Sequence, residues 1–540
     1  MTQRRAIETS ANFAQPFPYS VKVSTNAGGS WLSANRVTGI TGESITVSVN
    51  PGSLTPGTYR GTVSVTILIP ASVVLSGSTF RSRSRYRSWI PMRDTPLSRR
   101  HALGLAAVTA FARAPQMRIA MFQCDVTPPI GGPLFNGVAA RSIVDPLFAN
   151  GVVLLQSDKP AAVLIALDWC EIRNGAYDYW RSELGRAAGV APERVLLSCV
   201  HQHDAPYVDT DAQGMLDDPR LCDPAFHQRT VARVSAALTQ SLMKPRRITH
   251  IGTGQAKVER VASNRRYVTP AGKVSYGRTS ATRDAYVRNQ PEGLIDPWLK
   301  TISFWENDTP VAALNCYSTH PMTFYGKGDV SADFVGMARA QRQRETPDVA
   351  QIYFSGASGD TMAGRYNDGE PANRPALASR VHQGMVDAWN QTQRHPVRPI
   401  GFRNVPLRLA PRKTKGFSAA ELRGVLNNHE APYRERSEAA LGLSWLARID
   451  RPIDVPVIDL GPAQIILLPA ESFVQYQLWA QQARPDSMVM TLGFGECAPG
   501  YIPTAQDAAD GYDDHYSWIA FPECEAAIRA AIAKALTRSR

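Results

Sequence analysis

The sequence predicts an α/β protein, a mixed sheet with covering helices, preceded by a small all-β sandwich. Three observations carry this reading. Short alternating strands with Gly and Pro turns fill residues 19–67, apolar runs of strand length alternate with helical stretches from Arg118 onward, and a Ser/Arg-rich stretch separates the two regimes. The 540 residues suffice for several domains, and an apolar content of 44% with 20% charged describes an ordinary globular chain.

Taken in order, Ser20–Ser24, Ser44–Val49 and Gly57–Val65 read as strands, punctuated by Gly28-Gly29 and Pro51-Gly52. They make residues 1–69 one domain. Trp31-Leu32-Ser33, Ile45–Asn50 and Leu54–Tyr59 resemble the bacterial BACON-type sandwich repeat. That resemblance implies carbohydrate binding or domain spacing, with no catalytic role.

Residues 70–116 read as a linker that contains an export signal. Arg99-Arg100 precedes a run of small apolar residues, and Ala112-Arg113-Ala114 supplies an Ala-x-Ala cleavage pattern. Together they predict a Tat-type signal over Met92–Ala114, cut after Ala112, with Met92 as the true start and a periplasmic or extracellular product. Much of the excess behind the net charge of +12 lies here, in Arg81–Arg87 and Arg99-Arg100, so the charge points to targeting and not to nucleic acid. Seven cysteines without paired spacing give no disulfide framework and no Cys-x-x-Cys knuckle, and no apolar run is long enough to span a membrane.

From residue 117 to 540 the pattern is that of one α/β domain. Ile119–Phe122, Val152–Gln156, Ala162–Leu167, Val195–Val200, Val311–Cys316 and Gln464–Leu468 read as strands. Helices are predicted over Tyr177–Ala188, Phe226–Met243, Ala372–Gln391, Ser418–Asn428, Phe473–Ala483 and Glu525–Leu536, with antiparallel segments after Met243 up to Ser275. No internal repeat is evident in the residue text.

The chemistry-bearing residues stand at strand ends. His201 and His203 follow the apolar run Val195–Val200, and i,i+2 spacing on a strand turns both rings to one side. His320 follows Val311–Cys316, and Glu471 follows Gln464–Leu468 just before a helix whose N-terminus favours its charge. Tyr501 sits on the Gly/Pro-shaped loop Gly500–Thr504. Each alone is compatible with a structural role.

In order and wording these segments resemble the neutral/alkaline, non-lysosomal ceramidase family. His201-Gln202-His203-Asp204-Ala205-Pro206 stands where that family has His-Thr-His-Ser-Gly-Pro. Further matching words are Asp125–Pro129, Asn264-Arg265-Arg266, Thr319-His320-Pro321 with Ser331–Gly336, Ser358-Gly359-Asp360, Pro469-Ala470-Glu471, and Tyr501–Thr504 with Tyr512. The resemblance runs over residues 118–530. It implies a zinc ion (Zn2+) held by His201, His320, Glu471 and Tyr501, with His203, Arg265 and Tyr512 (or Tyr516) as catalytic residues. It implies hydrolysis of an N-acyl amide bond in a ceramide-like lipid by zinc-activated water. A lipid-amide substrate, a peripheral contact with a membrane surface and the absence of a nucleic-acid partner follow as expectations. The family's Gly-Glu/Asp-Ser segment is not found; Ser358 and the loop Gly364–Gly369 occupy that region, and Gln202 and Asp204 replace its Thr and Ser. These departures keep open an alternative, a secreted carbohydrate- or surface-binding protein on a ceramidase-like scaffold with altered chemistry.

Overall fold

Val21, Ile45 and Val63 come from three different strands of the N-terminal stretch and close on one another as a small apolar core. The structure, a computed structural model, describes residues 3–8, 18–25, 30–40, 44–49, 61–67 and 116–537. Contacts divide the chain into two units, Met1–Ala114 and Pro115–Arg540. In the first unit Gln3–Glu8, Ser44–Val49 and Leu32–Ala34 form one antiparallel sheet, and Thr38–Ile40, Pro18–Thr25 and Gly61–Ile67 form a second. This is the predicted all-β sandwich. The signal-like segment Met92–Ala114, and residues 70–115 of the predicted linker, lie outside the described residues.

The second unit opens with an antiparallel meander, β1 (Met117–Asp125), β2 (Phe148–Gln156) and β3 (Lys159–Leu167). Helix α1 (Asn174–Ala188) then leads to β4 (Val195–Cys199), which lies parallel to β3 with Val163 opposite Val195 and Leu167 opposite Cys199. The parallel pair is covered on both faces, which explains its unbroken apolar text. Helix α1 turns Ala176, Tyr177, Trp180 and Leu184 inward at helical spacing and ends at Gly189, whose φ of 71° provides the left-handed stop. Full burial of each large side chain on that face stabilises by about 1.5–3 kcal/mol. Helix α2 (Pro224–Ser241), capped by Asp223 on the Phe226 N–H, is followed by β5 (Arg246–Ile248) on the far edge of the sheet.

The same sequence of elements then recurs. Strands β6 (His250–Lys257), β7 (Trp298–Glu306) and β8 (Thr309–Tyr317) form a meander, helix α3 (Asp333–Glu345) crosses over, and β9 (Ala350–Ser355) runs parallel to β8. Helix α4 (Asn373–Asn390) and the edge strand β10 (Gln393–Pro396) complete the second set. A third set has β11 (Gly401–Leu407), an excursion through α5 (Ala419–Leu426) and α6 (Tyr433–Ala447), then β12 (Ile453–Asp459) and β13 (Ala463–Leu467). Helix α7 (Val474–Ala483) crosses to β14 (Met488–Leu492), parallel to β13, and α8 (Glu523–Leu536) ends the set.

Within the described residues these three sheets therefore read β4-β3-β2-β1-β5, β9-β8-β7-β6-β10 and β14-β13-β12-β11, one four-strand order used three times, with a fifth edge strand in the first two. The repetition is one of backbone connectivity, which is why the residue text does not display it. The ends of the second parallel strands meet: Cys199 N–H donates to Phe494 O at 3.0 Å, Gly493 N–H to Ser355 O at 2.9 Å, and Ser355 Oγ to Val200 O at 2.7 Å. Gly493 permits that approach, since a Cβ there would stand 2.6 Å from the Gly356 carbonyl oxygen.

Helices stand where the sequence predicts them, with ends shifted by a few residues, as at Asn174 for Tyr177 and Pro224 for Phe226. Strands β7, β9, β10, β11, β12 and β14 and helices α3 and α6 are additions to that reading.

Candidate active site

The carboxyl ends of the parallel strand pairs open onto a cavity of about 470 Å3. This is where the repeated topology leaves loops free to converge. His201 lies two residues past β4, in irregular backbone and not on the strand, with φ of 73°. Such a backbone conformation is uncommon for a non-glycine residue and concentrates at functional sites. Its Nδ1–H donates to the Cys170 carbonyl at 2.9 Å, and its ring stacks on Phe494 at 4.1 Å. His320 follows β8, and its Nδ1–H donates to the Ser358 carbonyl at 2.6 Å.

With both Nδ1 atoms committed to carbonyl oxygens, both Nε2 atoms carry lone pairs. They face each other at 3.1 Å. Glu471 Oε2 completes the group, 3.1 Å from His320 Nε2 and 3.5 Å from His201 Nε2. Two lone pairs and a carboxylate buried at such distances repel one another unless a cation or protons lie among them. Each imidazole is oriented by a carbonyl behind it, the arrangement that fixes a histidine as a metal ligand. Burial raises the Glu471 pKa, and protons placed on the two imidazoles in place of a cation would, by their hydrogen bonds and charge, hold it well below the ordinary carboxylate range. These donors fit a zinc ion.

Tyr501 is brought to Glu471 by a short parallel bridge in which Glu471-Ser472 pairs with Tyr501-Ile502. Burial together with the nearby Glu471 charge raises the pKa of its hydroxyl well above that of a free phenol. Arg265 places its guanidinium 5.2 Å from the centre of the Tyr501 ring, with Nε and Nη1 meeting no protein partner. Burial works against its charge, yet Tyr501, Tyr512, Asp514 and Glu471 together raise its pKa.

His203 also lines the cavity, its ring 5.0 Å from that of His201 and edge-on to Phe135 at 4.4 Å and Tyr325 at 4.9 Å. Neither ring nitrogen meets a protein partner. Burial, reinforced by His201 and His320, holds its pKa well below the ordinary histidine value, so it is neutral at pH 7. Tyr512 stands behind Tyr501, its ring 6.3 Å away and packed on Phe473 and Tyr276, and it does not reach the wall. Tyr516 does. Ser358 contributes its carbonyl, while its hydroxyl turns to Gly356 O at 3.2 Å and away from the cavity.

Three wall residues, Glu171, Arg173 and Tyr207, were not singled out from the sequence. Glu171-Ile172 pairs in parallel with Tyr207-Val208, the first repeat's counterpart of the Glu471–Tyr501 bridge. Glu171 Oε1 lies 3.8 Å from His201 Nδ1, and its Oε2 accepts from Arg173 Nε at 2.6 Å. Burial pushes its pKa up to about 7 against the pull of Arg173.

Among solved structures the chain is similar to a neutral ceramidase from Pseudomonas aeruginosa, with a TM-score of 0.58 at 16% identity over 78% of this chain and 74% of that one. The second repeat's His320 and the third's Glu471 thus sit in a scaffold already known. The chain has the neutral ceramidase fold. A structure described as a ceramidase complexed with C2 gives a TM-score of 0.57 at 14% identity, over 78% and 74% of the two chains. No family model and no curated protein matches the sequence. The α/β ceramidase-like architecture expected for residues 117–540 is therefore the observed one.

Proposed function

We propose that the protein is a zinc-dependent amidohydrolase that cleaves the N-acyl amide bond of a ceramide-like lipid. The observation that carries this reading is the convergence of His201, His320 and Glu471, one from each repeat, with both imidazoles presenting Nε2 to one point. Tyr501, set beside Glu471 by the parallel bridge, would serve as the fourth ligand. A zinc ion held there polarises a carbonyl and acidifies water.

The chain's own residues supply the rest. His203, kept neutral by burial, offers an N–H to the carbonyl oxygen as negative charge develops on it. Arg265, with N–H groups free of protein partners, orients the substrate's polar part against Tyr501. Tyr512 acts through Tyr501, which it backs, so its role is one of positioning. The narrow wall between Phe135 and Tyr325 limits water around the scissile bond.

Export through the Met92–Ala114 segment and a peripheral contact with the lipid surface belong to the same proposal. No helix among the described residues is long and apolar enough to cross a membrane. The decisive experiment is His320→Ala: elemental analysis is expected to show loss of bound zinc, together with loss of hydrolysis of N-acyl amides. Full zinc stoichiometry in that variant would reject the ligand set.

A further inference from the structure

The cavity wall carries one combination of groups twice. Glu471, Tyr501 and Arg265 form one trio, the guanidinium 5.2 Å from the phenol ring centre, and Glu171, Tyr207 and Arg173 form the other, with a spacing of 5.0 Å. Both carboxylate–phenol pairs are set by parallel bridges in equivalent places of the first and third repeats. They differ in what the carboxylate faces. Glu471 turns to the histidines, whereas Glu171 is ion-paired to Arg173 at 2.6 Å, so a cation brought to the second trio would meet a guanidinium.

The second trio instead presents hydrogen-bond donors. Arg173 is 1% exposed and its Nη1 meets no protein partner, and the hydroxyl of Tyr207, 4% exposed, meets none either. Charged donors buried without an acceptor are costly, and an incoming anion offers both of them one. Arg265, on the same wall, adds two further N–H groups without protein partners. The site is near the reaction centre, because only Glu171 stands between Arg173 and His201. Phe135, Met322 and Met362 line the same cavity and give it apolar surface for an acyl chain beside these donors.

We infer that Arg173 and Tyr207 form a carboxylate-binding subsite, and that among lipid N-acyl amides the one this cavity selects is that of an N-acyl amino acid in place of ceramide itself. The inference rests on the amidohydrolase reading and names its substrate class. Water adds across the amide C–N bond, giving a fatty acid and a free amino acid, with no other reactant required.

The test compares N-octanoylglycine with N-octanoylethanolamine, which share an acyl chain and differ in charge. Calorimetry on the zinc-loaded full chain is expected to show the glycine conjugate binding at least about 10-fold more tightly. Tyr207→Phe, which deletes one hydroxyl, should cut that ratio several-fold, and Arg173→Gln should bring it near unity. Should Arg173→Gln fail to fold because Glu171 is left unpaired, Tyr207→Phe alone decides. Equal binding of the two amides, or a ratio unmoved by Tyr207→Phe, overturns the subsite. Selective binding of the glycine conjugate without hydrolysis of either amide would reject the hydrolase reading and support the subsite, and equal hydrolysis without selectivity would do the reverse.

Discussion

His227 shows how a single buried side chain sets the behaviour of this protein in acid. Its ring lies among Trp169, Tyr179 and Trp180 at 5.7–6.4 Å, it is 2% exposed, and burial pulls its pKa down to about 4. In the unfolded chain the same group titrates near pH 6.5, so unfolded molecules take up the proton first. The contribution is therefore complete above about pH 6.5 and is lost as the pH falls toward 4, by up to about 3 kcal/mol. Urea unfolding of the wild type and His227→Phe at pH 7 and pH 4.5 is expected to show a smaller acid loss in the variant. At the same scale, Gly359 lies so close to the Glu471 strand that a Cβ would overlap the Glu471 carbonyl oxygen. Gly359→Ala should displace the carboxylate and weaken zinc binding by about 10–100-fold, measured by chelator competition. The histidines and Glu471 were legible in the text because each closes an apolar strand with a ligand-type side chain. Glu171 and Arg173 were not, because Cys170–Arg173 sits between a strand and a helix and carries no pattern until Tyr207 is placed beside it.

Helix α3 illustrates why some elements escaped a reading based on periodicity. Its buried face includes Arg339 and Arg342 as well as Phe334, Val335 and Ala338, so burial and apolarity do not coincide along it. Arg339 is held by Asp168 through bonds of 2.7 and 2.6 Å, and this fully buried pair ties the end of β3 in the first repeat to the crossover helix of the second. Removing one member leaves an uncompensated buried charge. Asp168→Ala is therefore expected to destabilise the protein by about 3–5 kcal/mol, read as a shift in the urea midpoint. Strands β9 and β14 were missed for a different reason: each is short, and its apolar run is shared by strands and buried helices alike. The parallel partners that define them lie in β8 and β13, and partnership of that kind is absent from a linear pattern.

At the scale of the whole molecule, contacts separate Met1–Ala114 from Pro115–Arg540. If the Met92–Ala114 segment directs export, N-terminal sequencing of the native product should begin at Arg113, and a mature chain that still contains Trp31 would contradict it. The α/β class and the ceramidase-like scaffold could be anticipated from strand and helix text, but the threefold use of one strand order could not, since it leaves no trace in residue identity. That threefold order has a consequence for biogenesis. Intervals of 119 and 151 residues separate His201 from His320 and His320 from Glu471. A nascent polypeptide emerging from the ribosome thus holds two imidazoles without Glu471 until its final third has docked, so on the proposed ligand set uptake of an ion would mark the completion of assembly. On that reading the metal content of a purified batch would count the molecules that finished folding.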